Sequence, residues 1–478
     1  MGVSRMDLLL YRAELGYDSV TMMSGTRSLF IAGSVSLLVA TAGCSGSESD
    51  GFSDVSAEVS DSISTVVKVS WTTEAPSIGY VEYGTTKALG SHTPLEEVET
   101  KEHSYSVLGL AADTTYYYRV VTWDGHDGEA SSIKTVQTGS LPLGLPRLTV
   151  QGTGNELFTV VPLLGTTTAV LILDGKGNVV WYHTDDRDLD FYRARLSVNG
   201  KDLIYNAASV SGDVADNSEL VRVALDGSGS TSIKVPLLAH DFVEHPDGTL
   251  AAMVVEYRDT KEGQVRGDTI VEIDADGNQT TVWNSWDCFD PAVERGDSLD
   301  LAKGWTFGNA LDYDPVERKY YLGMRDLSSI AKIDPVTHSC DWVFGSVGST
   351  IEFAPGAARF LHQHQFDFRS SDNRILIFDN DGSPGTESRV LEYELDFDTN
   401  VATQVWSYVS DPTVYTFVLG EPTRLKDGGV FIDWATAGQL ERLNAAGESI
   451  WKLTSPAGKA FGFNTLAESL YSPKAKNP

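Results

Sequence analysis

One pattern recurs six times along this chain and restricts its fold more than any other feature. An apolar run ends in Asp or a neighbouring polar residue, a turn containing Gly or Pro follows, and the next apolar run usually carries Trp. The copies run from Leu171 through Asp174-Gly175 to Trp181, from Val221 to Asp226-Gly227, and from Ile270 through Asp274 and Gly277 to Trp283. They continue from Ile330 through Asp334-Pro335 to Trp342, from Leu391 through Asp396 to Trp406, and from Leu440 through Leu443 and Gly447 to Trp451. Equivalent positions 174, 226, 274, 334, 396 and 444 are 48 to 62 residues apart. Hairpins repeated at that period are the signature of a β-propeller, each unit supplying one four-stranded blade. No segment sustains a 3.6-residue apolar period, so long α-helices and doubly wound folds are excluded. The fold class is therefore all-β, with a six-bladed propeller over residues 154–472.

A second unit precedes it. Short alternating runs at Val67-Val69-Trp71, Ile78-Tyr80, Val81-Tyr83, Tyr105-Val107 and Tyr116-Tyr118-Val120 are separated by turn residues, the rhythm of a small β-sandwich over residues 54–139. The pattern Val-Ser-Trp71-Thr, Val81-Glu-Tyr83-Gly84, then Leu108-Gly-Leu110 before Thr115 to Val120 resembles a fibronectin type III domain, with Leu110 and Tyr116 spaced as in its tyrosine corner. Nothing titratable clusters there, so the unit is expected to be a spacer or partner-docking module. Residues 140–153, with Pro142, Gly144 and Pro146, read as a linker, and residues 45–53, polar and small, as a tether.

Residues 1–44 read as an export signal: Arg27 precedes the uncharged stretch Leu29 to Ala40, and Thr41-Ala-Gly-Cys44 follows. This order resembles a bacterial lipoprotein signal with Cys44 lipidated, although Thr41 stands where Leu is usual. The expected location is the periplasm or cell surface, with membrane contact only through a lipid on Cys44. Cys288 and Cys340 remain, and two readings stand: a disulfide in an oxidising compartment, or two buried thiols. With 36 Lys+Arg against 67 Asp+Glu, the net charge of −31 repels phosphate backbones, so nucleic acid is excluded as a partner. Oligomeric state is not legible.

Polar residues head the second half of several units: His240 in His-Asp-x-x-x-x-Pro-Asp-Gly, Asn309 before Ala-Leu-Asp, and His364 before Gln-Phe-Asp. In a propeller such positions face the central channel, and converging polar groups there make a ligand site. Strand alternation would place His362, His364, Phe366 and Phe368 on one face. That His-x-His pair lacks a third ligand nearby, so no metal is expected. Asp379-Asn380-Asp381-Gly382 reads as a turn, since the later ligands of a calcium loop are missing.

Taken together, Trp305-Thr-Phe307-Gly-Asn309-Ala-Leu-Asp-Tyr-Asp, Arg325-Asp-Leu-Ser-Ser-Ile-Ala-Lys-Ile-Asp334, Gln363-His364, Leu376-Ile-Phe-Asp-Asn-Asp-Gly382 and Ser388-Arg-Val-Leu-Glu-Tyr393 resemble the bacterial arylsulfotransferases over roughly residues 145 to 470. The resemblance implies an exported six-bladed propeller that moves a sulfuryl group from an aryl sulfate donor to a phenolic acceptor by a ping-pong mechanism. No cofactor and no nucleotide sulfate donor is implied. By the same resemblance His364 is the residue that becomes sulfated, His240 a catalytic channel histidine, and Asn309 and Arg325 the sulfate binders. One departure matters: where the family has Trp-Thr-His-x-Asn, this chain has Phe307, which would line the substrate site as an aromatic wall. The loss of that imidazole keeps alternatives open: a non-catalytic propeller that binds a ligand or partner, or a hydrolase that uses water as acceptor.

Overall fold

The computed structural model describes residues 51–472 apart from 124–127, 166, 186, 188, 210–215, 299 and 382–386. The export signal and Cys44 lie outside the described residues. Strands dominate. Among the described residues there is no α-helix, and two 3₁₀ turns, Ser285–Asp287 and Ala435–Ala437, are the helical pieces.

The N-terminal unit has six strands: Phe52–Val59, Val67–Gly84, Ser91–His92, Thr100–Val107, Thr115–Trp123 and Lys134–Gln137. Val67–Gly84 serves two sets of partners. Its first half pairs with Phe52–Val59 and Thr100–Val107, its second with Ser91–His92 and Thr115–Trp123, and the register breaks between Thr72 and Ser77. Alternation packs Val67, Val69, Trp71, Val81, Tyr118 and Val120 into one core. The Tyr116 hydroxyl accepts from the Ala111 amide at 2.9 Å.

This unit is docked, not strung out as a spacer. Ile63, Val66 and Leu108 belong to the same apolar cluster as Val160, Val180 and Leu470 of the propeller. The Thr65 hydroxyl donates to Val180 O at 2.8 Å and the Tyr471 hydroxyl accepts from Leu108 N at 3.0 Å. Buried apolar surface combined with satisfied backbone groups makes a fixed junction.

Six antiparallel meanders follow. Sheet 1 comprises Ala460–Phe461 with Thr465–Ala467, then Phe158–Leu164, Ala169–Leu173 and Val179–Thr184; sheet 2 comprises Asp190–Leu196, Asp202–Ala208, Glu219–Ala224 and Ser230–Lys234. Sheet 3 holds Leu238–Glu244, Leu250–Thr260, Gly263–Ile273 and Gln279–Asn284, and sheet 4 holds Gly308–Asp314, Lys319–Met324, Ser329–Asp334 and Ser339–Gly345. Sheet 5 holds Phe366–Arg369, Arg374–Asp379, Arg389–Asp396 and Val401–Tyr408, with Glu352–Phe353 added in parallel at its outer edge. Sheet 6 holds Glu421–Arg424, Val430–Asp433, Gln439–Leu443 and Ser449–Thr454, and then Thr149–Gly152. Neighbouring sheets meet through their first strands, Leu238–Glu244 against Gly308–Asp314 and Phe366–Arg369 against Glu421–Arg424, which is the radial stacking of a propeller.

The sequence repeat falls between the third and fourth strand of every sheet, and its chemistry explains the turn. Asp174, Asp226, Asp274, Asp334, Asp396 and Asn444 each accept through a side-chain oxygen from the amide two residues on, an Asx turn that satisfies donors the ladder leaves free. In five sheets the fourth strand then bulges just before its Trp, between Val179 and Trp181 in sheet 1 for example. The bulge turns the indole inward. Trp181 donates to Leu225 O beside the sheet 2 turn at 2.9 Å, and Trp451 donates to Gly175 O in the sheet 1 turn at 2.8 Å. Each buried indole removes roughly 150–250 Å² from water, about 4–6 kcal/mol before entropy is counted.

One expectation needs correction. Residues 149–152, read as the end of a linker, are a strand on the outer edge of sheet 6, because Leu148 and Val150 find an apolar surface there. The inner edge of sheet 1 comes from the other end of the chain, residues 460–467. Cys288 and Cys340, left open by the sequence, are bonded with their Cα atoms 6.0 Å apart, tying the end of sheet 3 to the outer strand of sheet 4.

A charged cluster fills the axis. Arg193 of sheet 2 donates to Asp241 of sheet 3 at 3.0 Å, to both carboxylate oxygens of Glu421 of sheet 6, and to Asn464 O in the C-terminal segment. Asp241 also accepts from Leu311 N of sheet 4 and from Gln365 Nε2 beside sheet 5. Groups from all six sheets are thus joined through two side chains, Arg193 and Asp241, that are 1% and 0% exposed. Burial works to raise the Asp241 carboxyl, but Arg193 and Arg195 overcome it and hold it below the usual range.

Candidate active site

The histidines sit beside this axial cluster. His240 lies within the first strand of sheet 3, one residue before Asp241, and is buried. Its Nδ1 is 3.1 Å from the Gly308 carbonyl of sheet 4. His364 precedes the first strand of sheet 5, is 1% exposed, and has Nδ1 2.8 Å from Asn380 Oδ1. Burial comes first among the causes that keep both rings neutral, followed by cationic neighbours. His240 is pushed down to about 3 by burial and by Arg266, and His364 well below its ordinary value by burial and by Arg325.

Arg325 reaches the same place from the turn between the second and third strands of sheet 4. Its amide bonds Phe307 O and its Nη1 donates to Asp326 Oδ1 at 2.6 Å, while Nε is buried without a protein partner. An orphaned guanidinium N–H beside two neutral imidazoles is what an anion would satisfy. Phe307 lies among these groups, with its ring centroid 5.4 Å from that of His240. The guanidinium carbons of Arg266 and Arg325 are 5.2 and 5.8 Å from it. Its φ of +49° is left-handed, a conformation that a bulky residue adopts only when its neighbours impose it. Asp268 imposes it, accepting from the Thr306 hydroxyl at 2.5 Å and from Gly308 N at 2.6 Å.

Asn309 lies in the first strand of sheet 4, two residues after Phe307. It is fully buried, and its Nδ2 donates to Gln363 O at 2.8 Å, which holds the peptide leading into His364. His362 does not share a face with His364, contrary to the strand reading. Its φ of +52° breaks the extended run, and its Nε2 turns to Asp297 at 3.4 Å. The strand proper starts at Phe366: His362 N donates to Ser328 Oγ and Gln365 N to Gly420 O, while His364 N still donates to Phe378 O of the second strand of sheet 5.

Arg266, Asp268 and Asn380 were not found from the sequence. Arg266 and Asp268 lie on the third strand of sheet 3, Gly263–Ile273, and an isolated Arg in a strand gives no local signal. Asn380 sat in plain view within Asp-Asn-Asp-Gly, but that motif reports only a turn. Two surface cavities are lined by other residues: one of about 570 Å³ by Tyr105, Leu108, Asp202 and Tyr471, and one of about 1160 Å³ by Leu196, Arg424, Arg442 and Leu466.

Among solved structures the chain aligns with a streptogramin B lyase, at 10% identity and a TM-score of 0.32 over 65% of this chain and 98% of that one. It also aligns with Kuenenia stuttgartiensis hydrazine synthase, at 13% identity and 0.30 over 75% and 97%. Kluyveromyces lactis Hsv2 aligns at 8% identity and 0.31 over 74% and 95%. Likeness at this level carries no function. No curated protein sequence gives a match. The family model described as arylsulfotransferase (ASST) matches residues 149–460, from the outer strand of sheet 6 to the closing strand of sheet 1.

Proposed function

The chain belongs to the arylsulfotransferase family, and from that premise we propose that it carries a sulfuryl group from an aryl sulfate to a phenolic acceptor through a sulfohistidine at His364. The observation that carries the reading is the meeting of a buried neutral imidazole with the unpartnered Nε of Arg325. In sulfuryl transfer, as in phosphoryl transfer, charge spreads over three equatorial oxygens while nucleophile and leaving group lie in line. The protein therefore contributes a neutral nucleophile and fixed donors. An imidazole nitrogen of His364 attacks sulfur, the bond from sulfur to the aryl oxygen breaks, and the aryloxide leaves. The acceptor oxygen then attacks the same sulfur, the N–S bond breaks, and the acceptor's phenolic proton passes to His240.

His240 has the place for that second role. Burial first, and then Arg266, hold it neutral, and a sulfuryl anion seated beside the cations offsets the cationic part of that shift. The group that leaves is an aryloxide, whose parent phenol has a pKa near 10, so its departure is easier than that of an alkoxide. In this reading no nucleotide donor is used, and the chain is exported and held to a membrane through a lipid on Cys44.

The test is to incubate the purified protein with 4-nitrophenyl sulfate, with and without phenol, following nitrophenolate release and intact mass. Phenol-dependent release with a sulfuryl adduct that His364→Ala abolishes is the expected result. Full transfer by His364→Ala would overturn the mechanism, and absence of both release and adduct would leave a propeller that only binds its ligand.

A further inference from the structure

We propose that Asn380 is the positioning residue that fixes the tautomer of His364 and so makes Nε2 the attacking nitrogen; this rests on His364 being the sulfuryl acceptor. Asn380 follows the second strand of sheet 5 and is fully buried. Its Nδ2 donates to two backbone carbonyls, Thr416 O at 2.7 Å and Leu419 O at 3.0 Å. Both amide hydrogens are thereby committed. The amide cannot turn over, because its oxygen would then face two carbonyl oxygens. Oδ1 must therefore point at His364, whose Nδ1 is 2.8 Å away. An amide oxygen only accepts, so Nδ1 carries the hydrogen. A neutral ring has one, and Nε2 is left with the lone pair.

The same contact serves the reaction. As Nε2 forms its bond to sulfur and the aryloxide departs, the ring acquires positive charge while Nδ1 keeps its proton, and the amide oxygen dipole faces that charge. When the acceptor oxygen takes the sulfuryl group, the N–S electron pair returns to Nε2 and the resting tautomer is restored. A carboxylate in place of the amide would stabilise the imidazolium too early and protonate the resting ring. The two carbonyls that hold Asn380 belong to residues 416 and 419, so the segment leading into sheet 6 sets the nucleophile of sheet 5. Ser388 secures the same segment independently: its hydroxyl donates to Thr416 O and accepts from Thr416 N.

The experiment measures single-turnover adduct formation from 4-nitrophenyl sulfate against pH in the full chain and in Asn380→Asp, Asn380→Ala and Ser388→Ala. It is joined to ¹⁵N-histidine spectra of the nine histidines, with His364 assigned by its substitution. Asn380→Asp is expected to move the acidic limb upward by roughly 1–3 pH units. Asn380→Ala is expected to slow adduct formation by between about 10-fold and about 10⁴-fold, the span seen when an imidazole loses the partner that sets its tautomer. Ser388→Ala is expected to lower the melting temperature and leave the limb in place. The wild-type spectrum should show His364 protonated at Nδ1. Protonation at Nε2, or both Asn380 variants with the parent rate and limb, would overturn the proposal. If Asn380→Ala fails to fold, the wild-type spectrum and Asn380→Asp decide. Absence of any adduct in the parent protein would instead overturn the sulfohistidine reading, whatever the tautomer.

Discussion

Replacing Phe307 by His should turn this site into a faster one at little cost in stability. The ring it removes makes two cation–π contacts, to Arg266 and Arg325 at 5.2 and 5.8 Å, worth about 0.5–1 kcal/mol each. Against that loss stands the backbone: φ is +49°, where His is several-fold commoner than bulky residues, a preference of roughly 0.5–1 kcal/mol. Net destabilisation should therefore stay below about 1.5 kcal/mol. The new imidazole lies beside His240, between two cations that keep it neutral, and offers one N–H to the charge that develops on the sulfuryl oxygens. A single well-placed donor of that kind is worth about 10²–10³-fold in kcat, or about 2.7–4 kcal/mol. The assay is steady-state transfer from 4-nitrophenyl sulfate to phenol, with a urea melt for stability. An unchanged or lower kcat in a folded Phe307→His protein would refute the reasoning and assign the ring to holding the substrate's own aromatic face.

Other outcomes follow from the same geometry. Because burial and cationic neighbours keep His240 and His364 neutral, and attack needs a neutral ring, kcat/KM should hold as pH falls through 6.5; an acidic limb at or above 6.5 would contradict the burial argument. The unfolded chain takes up the His240 proton near pH 6.5 while the folded chain resists until about 3, so stability should fall by about 1.4 kcal/mol per pH unit between those values from this residue, read by urea melts at several pH values. Arg193→Ala leaves Glu421 without its cation and Asp241 with Arg195 alone, and should cost about 3–5 kcal/mol; a loss under 1 kcal/mol would show that the axial cluster is not coupled. Cys340→Ser opens a loop spanning 52 residues and should cost about 4 kcal/mol in the chain-entropy account, measured as the shift in urea midpoint with and without reductant in the parent protein.

The sequence carried the local half of this structure well. Asx turns and the Trp after them are short-range chemistry, so the third and fourth strands of all six sheets could be read directly. The partners of the first strands could not: nothing near Phe158–Leu164 says that residues 460–467 will lie beside it, and nothing in Thr149–Gly152 names Ser449–Thr454. For the site, motif order identified His240, Phe307, Arg325 and His364, and the structure brings those four to one place. Asn309 was legible as a residue but not as to its partner, the Gln363 carbonyl. Arg193, Asp241 and Glu421 look like ordinary surface charge in a chain with so many acids. Only the ring of sheets, by pointing its first strands inward, makes them an interior.

Ring closure also sets an order of events. Phe158–Leu164 is synthesised well before its inner neighbour, Ala460–Phe461 with Thr465–Ala467, since the strands of the other five sheets lie between them in the chain. Until it arrives, a nascent chain holds up to six sheets as an open arc, with one strand edge unpaired and the apolar flank of sheet 1 exposed, the kind of surface that captures other chains. Leu470 and Tyr471 then lock the seam by packing against the N-terminal unit, which makes the whole body a latch fastened from its tail. Loss of the final dozen described residues should therefore act as a failure of assembly throughout the ring, including the side that holds His364, and not as local fraying.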